Sequence, residues 1–164
     1  MGINDCLRAI IGDDCKIKWP NDIYYKDEKL GGVLIENITA GTALKASIIG
    51  IGINVNQKNY SGANIRATSL SKILHQDYDL NQLLKQLCKS IESRYLQLKT
   101  GDLVGLNRDY LDRLYRLNVV HSFLIGDKTC KGIIKGVSDE GFLLLQIDDE
   151  LRSFGLKQVA FIFD

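Results

Sequence analysis

Apolar residues recur at helical spacing as the chain opens. Ile3, Leu7, Ile10 and Ile11 share one face, and Gly12 stands where a helix would end. No capping residue precedes Ile3, so the segment reads as the tail of a longer helix. Cys15, Ile17 and Trp19 then alternate with Lys16 and Lys18, the period of a half-buried strand. Pro20 ends it, because proline has no N–H for a ladder. A short strand at residues 23–25 and a polar turn at 26–29 follow. Two longer strands are predicted at 32–38 and 44–55, around a turn at 40–42. The second is apolar on both faces across 48–53, which predicts a central strand in a sheet covered on both sides.

The period then changes from two to 3.6. Residues 69–75 read as two helical turns. Asp79 with Gln82 three residues later forms a capping box for a long helix that Gly101 closes. Its stripe is Leu80, Leu83, Leu84, Leu87, Ile91, Tyr95 and Leu98, and a second stripe carries Leu103, Leu106, Tyr110, Leu114 and Leu117. Both stripes are expected to be core. At Asn118 the period returns to two. Five short strands are predicted at 119–125, 130–137, 142–147, 151–154 and 158–163, linked by turns rich in Gly, Asp and Ser. A meander of this size suggests a small SH3-like barrel at 118–164, following a first domain at 1–117. No internal repeat is present.

Composition narrows the function classes. With 45% hydrophobic and 25% charged residues the chain is globular, not disordered. Twenty-one Lys and Arg against 20 Asp and Glu leave a net charge of +1, which argues against a broad nucleic-acid surface. No apolar run approaches the roughly 20 residues that cross a bilayer, and residues 1–12 lack the signature of a secretory signal. The four cysteines, Cys6, Cys15, Cys88 and Cys130, show no C-x-x-C spacing, and neither His75 nor His121 completes a ligand set. Four reduced, mostly buried thiols in a cytoplasmic protein are expected.

Three segments carry candidate chemistry. Lys18-Trp19-Pro20-Asn21-Asp22 crowds a cation, an amide and a carboxylate at a strand end, although Pro20 and an Asx-turn with a core Trp19 would explain it equally. In Lys29-Leu30-Gly31-Gly32 a lysine precedes two glycines. The glycines allow close approach of a flat ligand and the lysine can neutralise its anion, while the alternative is a hairpin with a bulge. Gly50-Ile51-Gly52-Ile53-Asn54-Val55-Asn56 puts two glycines inside a strand. That suits a molecule lying on the backbone, or a closely packed helix, with Asn54 and Asn56 directed to one face. It is not a dinucleotide fingerprint, since no third glycine opens a helix.

Together, K-W-P-N-D, K-L-G-G and G-I-G-I-N-V-N in this order, with the later Ala67-Thr68-Ser69-Leu70, resemble the biotin protein ligase family over essentially the whole chain. The resemblance implies an α+β fold: part of a class II aminoacyl-tRNA-synthetase-like catalytic sheet with helices, then the SH3-like barrel. It implies biotin and ATP as substrates with Mg²⁺, biotinyl-5′-adenylate as intermediate, and a lysine of a biotin carboxyl carrier domain as acceptor. Lys29 would bridge the biotin carboxylate and the α-phosphate. Gly31, Gly32, Gly50 and Gly52 would floor the biotin site. Lys18, Asn21 and Asn54 would serve ATP, and Asp22 would hold Mg²⁺ or orient the acceptor amine.

The family's glycine- and arginine-rich loop, G-R-G-R-x-G-R, does not occur in these residues. The chain therefore reads as the C-terminal half of a ligase, expected to be inactive alone and to leave apolar sheet surface open for a homodimer. DNA binding is left unassigned. Two other readings stand beside it: a non-enzymatic nucleotide- or partner-binding half-domain, and a lipoate-ligase-like acyl-adenylating enzyme.

Overall fold

The computed structural model describes residues 1–41, 43–60 and 66–163. Thr42, in the expected turn at 40–42, lies outside them. The elements run α1 (Gly2–Ile11), β1 (Cys15–Lys18), β2 (Asp22–Tyr25), β3 (Glu28–Ala40), β4 (Ala43–Ile53), α2 (Leu70–Leu74), α3 (Leu80–Lys99) and α4 (Leu103–Asp112). Then come β5 (Val120–Ile125), β6 (Lys128–Val137), β7 (Leu143–Ile147), β8 (Glu150–Phe154) and β9 (Val159–Phe161). The chain forms two compact units. One comprises Met1–Ile17 and Asn21–Asp102, the other Lys18–Pro20 and Leu103–Asp164.

In the first unit a four-stranded antiparallel sheet runs in the order β1-β2-β3-β4. Helix α1 turns Gly2, Ile3, Cys6 and Leu7 inward and stops at Gly12, whose φ of 84° suits glycine. Gly2 lets α1 approach α3 closely: a Cβ there would lie 2.7 Å from the Ile91 Cα. Across the same contact Arg94 grips Asp5 through Nε (2.6 Å) and Nη2 (3.1 Å), a bidentate, charge-assisted pair. Asp79 caps α3 by accepting from the Gln82 N–H at 2.9 Å.

Two expectations about burial are corrected. Strand β4 is the edge of its sheet, not its centre, and it is uncovered: Ile48 is 58% exposed and Leu34, which pairs with Gly50 from β3, 61%. The two-faced apolar pattern records a need for cover that no described residue meets. The α3 stripe is also not all core. Leu83 and Leu87 are buried, whereas Leu80, Leu84, Tyr95 and Leu98 are exposed. At 1.5 Å per residue the ten residues of α1 span about 15 Å and the twenty of α3 about 30 Å, so α1 covers only part of the longer helix. On the second stripe Leu114 is buried while Leu103 is exposed.

The second unit holds a five-stranded antiparallel sheet in the order β8-β7-β6-β5-β9. No closed barrel forms among the described residues. Its core gathers Trp19, Leu114, Phe123, Ile134, Leu143, Leu145, Ile147 and Val159. The units divide between Asp102 and Leu103, so α4 belongs with this sheet. Asp148 and Asp149 both take positive φ in the two-residue β7–β8 turn, the backbone a tight hairpin needs.

Of the four thiols, Cys6 and Cys15 are buried but Cys88 is exposed on α3. Burial pushes the Cys15 thiol up from 9.0 to about 12, partly offset by the Arg8 charge and the Asn4 amide. Burial raises Cys6 as well. A thiol reagent should therefore label Cys88 first and reach Cys15 only on unfolding. The folded chain holds the Cys15 proton more tightly than the unfolded chain does. Its stabilisation is complete below about pH 9 and is lost as pH rises towards 12. Tyr110, raised by burial from 10.0 to about 12, acts in the same direction. Melting temperatures should fall steadily above about pH 9; a flat profile would contradict this.

Candidate functional site

The candidate site lies in the first unit, at the paired ends of β2, β3 and β4. Lys29 is the second residue of β3, so it stands within a strand and not in the turn before it. Its backbone is held from several sides. Its N–H donates to the Arg66 carbonyl (2.8 Å), and its carbonyl accepts from Thr68 N–H (3.0 Å) and Asn54 Nδ2 (3.5 Å). None of these bonds uses the side chain. The Lys29 ammonium instead meets Asp22 Oδ1 at 2.6 Å, with the lysine side chain 43% and the aspartate 19% exposed. Both charged groups remain open to an incoming ligand.

Asp22 opens β2 and pairs with Gly32, and Gly32 pairs with Gly52. Side chains alternate along a strand, so Asp22, Gly32, Gly50 and Gly52 share one face of the sheet and Gly31 belongs to the other. The glycines differ in what their own chain demands. A Cβ on Gly31 would lie 2.5 Å from the Gly52 carbonyl oxygen. One on Gly32 would sit 3.2 Å from Asp22 Oδ1 and 3.6 Å from Lys29 Nζ, crowding the ion pair. At Gly50 and Gly52 the nearest atoms are 3.8 Å away, an ordinary contact. Nothing among the described residues requires glycine at those two positions.

Asn21 closes the turn beside the pair. Its Nδ2 donates to the Val33 carbonyl (2.6 Å), and its own carbonyl accepts from Val33 N–H (2.8 Å). The asparagines after β4 act as braces. Asn54 Nδ2 also donates to the Thr68 carbonyl (3.1 Å), and Asn56 exchanges two bonds with the Tyr78 backbone (2.8 and 3.0 Å). The Asn56 amide is thus committed to its own chain. Lys18 belongs to the second unit, its ammonium 4.5 Å from the centre of the Phe161 ring. Sequence reasoning missed the segment after β4 as a support: Ala67 bridges to Lys29 and Tyr60 Oη donates to the Thr68 carbonyl (2.7 Å). The Ala67-Thr68-Ser69-Leu70 motif was the available signal.

Residues 3–54, which contain Asn21, Asp22, Lys29 and the four glycines, match the model of the biotin/lipoate A/B protein ligase family, and residues 122–159 match that of the biotin protein ligase C terminal domain. The chain belongs to the biotin protein ligase family. It is 32% identical over 154 residues to the bifunctional ligase/repressor BirA of Escherichia coli, a match covering 90% of this chain and 46% of that protein. It is 28% identical to the biotin--[acetyl-CoA-carboxylase] ligase of Paracoccus denitrificans, covering 89% of this chain and 63% of that protein. The chain spans about half the length of the BirA relatives it matches. Among solved structures it resembles the apo biotin protein ligase of Aquifex aeolicus, with a TM-score of 0.77 and 25% identity over 99% of this chain and 72% of that one. The same enzyme in complex with biotin and ATP gives 0.76 over 97% of this chain and 66% of that one, at 25% identity.

Proposed function

We propose that this chain serves ATP-dependent ligation of biotin to a carrier protein. The observation that carries the reading is the half-exposed Lys29 ammonium, paired with Asp22 at the rim of a strand face bare of side chains at Gly32, Gly50 and Gly52. Biotin lies against that face with its carboxylate toward Lys29. The carboxylate oxygen attacks the α-phosphorus of ATP, the bond to the bridging oxygen breaks, and pyrophosphate leaves. Two anions must meet for this, and a fixed ammonium between them lowers the barrier by holding the oxygen on which charge develops. In the second step a lysine amine of a biotin carboxyl carrier domain attacks the mixed-anhydride carbonyl, and AMP leaves. Asp22, released from Lys29 when the biotin carboxylate takes its place, orients that amine or a phosphate-bound Mg²⁺.

Asn21 and Asn54 are assigned to ATP through the backbone they hold, Lys18 through its charge, and Gly31 to biotin through its place in the K-L-G-G motif. Among the described residues no group of three or more acids, histidines or cysteines could hold a metal ion. Mg²⁺ would therefore arrive with the ATP phosphates, the usual manner for this ion. We assign the first unit to the class II synthetase-like catalytic sheet, residues 118–164 to an SH3-like module, and the protein to the cytoplasm. The test is adenylate formation and biotin transfer by a ligase polypeptide containing these residues, given biotin or lipoate with Mg-ATP and a carrier domain. Activity with biotin supports the reading. Activity with lipoate alone favours a lipoate-ligase-like enzyme, and nucleotide binding without turnover favours a binding half-domain.

A homodimer belongs to the same reading. The free edge of β4 carries unpaired backbone groups, and apolar Leu34 and Ile48 lie exposed beside it, a template for pairing with a second copy. Sedimentation of this chain should show dimers that Ile48→Lys weakens. Monomer alone at high concentration would count against the dimer.

A further inference from the structure

Lys29 lies where the four-stranded sheet no longer holds β3 on both sides. Strand β2 pairs with it through Tyr24, but β4 pairs with β3 only from Gly31 onward. At Lys29 the place of β4 is taken by residues 66–68, which return as a short strap. Ala67 pairs with Lys29 in an isolated parallel bridge. Lys29 N–H donates to the Arg66 carbonyl (2.8 Å), and Thr68 N–H donates to the Lys29 carbonyl (3.0 Å). The lysine whose ammonium meets Asp22 thus takes its main-chain position on this side from the strap.

The strap is itself held at the Thr68 carbonyl. Two donors converge on that oxygen, Asn54 Nδ2 at 3.1 Å and Tyr60 Oη at 2.7 Å. Thr68 is 3% exposed, and a buried carbonyl needs a donor to offset its lost hydration. The Asn54 amide supplies one, and it also reaches the Lys29 carbonyl (3.5 Å). The tyrosine bond is therefore a second restraint on the direction of the carbonyl, beyond what burial demands. Tyr60 stands outside the residues 3–54 that match the family model, and its ring centre lies 5.0 Å from the Lys72 ammonium.

We propose that Tyr60 is a positioning residue for Lys29, acting through the Thr68 carbonyl and the strap. The proposal rests on the ligase reading for the chemistry that Lys29 performs. An ammonium that holds the oxygen on which charge develops must stand within hydrogen-bond reach of it. A misplacement of about 1 Å in such a group can cost about 10² in rate. A Tyr60 that merely packed would stabilise the fold and leave the chemical step alone.

The test is Tyr60→Phe, which deletes one oxygen and keeps the ring beside Lys72. Lys72→Met is the control: it removes the cation from the ring and keeps the hydroxyl. Hydrogen exchange in this chain is followed at Lys29 and Thr68, whose amides pair with the strap and with β3, and at Val33, which bonds Asn21. In Tyr60→Phe the Lys29 and Thr68 amides should exchange about tenfold faster while Val33 stays within about twofold. In a ligase polypeptide containing these residues, kcat for adenylate formation should fall about tenfold, with KM for biotin and for ATP within about twofold. That split marks an interaction realised only in the transition state. Lys72→Met should move none of these quantities by more than about twofold. Unchanged exchange at Lys29 and Thr68 would overturn the proposal, as would an unchanged kcat or equal effects of the two variants. If the unaltered ligase polypeptide forms no adenylate, the ligase reading fails, and the Lys29 exchange still decides whether Tyr60 fixes its main chain.

Discussion

Lys29→Ala should nearly abolish biotin adenylation in a ligase polypeptide containing these residues, while leaving its folding almost untouched. The two effects separate because the backbone and side chain of Lys29 do different work. The strand is held by bonds to Arg66, Thr68 and Asn54 that alanine keeps. The side chain contributes one ion pair with Asp22, at a position 43% exposed, and such pairs are worth about 0–1 kcal/mol. Removing a donor that stabilises charge in the transition state costs about 10²–10³ in rate. Lys29→Arg should restore only part of the activity, since a planar guanidinium cannot occupy the compact position of an ammonium wedged between Asp22 and Gly32. Lys26→Ala is the control. Lys26 lies in the exposed β2–β3 turn, 3.9 Å from Asp14, and should be silent. Pre-steady-state adenylate formation, measured beside a thermal melt, makes the comparison. Equal behaviour of the two alanine variants would remove Lys29 from the site.

The parts of the fold legible in the sequence were those governed by local chemistry. The Asp79–Gln82 cap, the Gly12 stop and five C-terminal strands close to their observed positions all follow from periodicity and turn residues. What the sequence did not carry was the partner of each apolar face. The pattern at residues 48–53 demands cover without saying whether cover exists, and β4 is an exposed edge. The α3 stripe marks a face, but the length of α1 decides how much of it is buried. Trp19 was readable as core, yet nothing local indicates that its core is formed by residues more than ninety positions later.

The candidate site divides in the same way. The motifs located Lys29, Asp22 and the glycines. The direct Lys29–Asp22 contact depends on a register shift between Ile23 and Tyr24, which no spacing rule reveals. Asn54 and Asn56 appeared free to read a ligand. The chain that returns beside them after β4 engages both amides. Short polar side chains can serve a ligand or their own backbone equally well, and only tertiary structure distinguishes the two.

Gly31→Ala and Gly52→Ala should fail in opposite ways, although the two glycines stand on neighbouring strands of one motif set. A Cβ at Gly31 meets the Gly52 carbonyl oxygen at 2.5 Å and the Ile53 Cα at 3.3 Å, both backbone, so strands β3 and β4 must shift to admit it. Overpacking of that kind costs about 1–3 kcal/mol, and the melt should fall accordingly. At Gly52 the nearest atom is the Gly32 carbonyl oxygen at 3.8 Å, and a methyl group fits without moving anything. The melt of Gly52→Ala should be unchanged or slightly higher, since alanine restricts the unfolded chain more than glycine does. Its cost should appear only when biotin is added, because the methyl occupies the face on which the ligand lies. A loss of affinity of about tenfold or more, equivalent to about 1.4 kcal/mol, is expected. Calorimetric titration with biotin, set beside the two melts, reads both effects. If Gly52→Ala bound biotin like the unaltered chain, the bare strand face would not be the floor of the site, and the glycines of β4 would need another explanation.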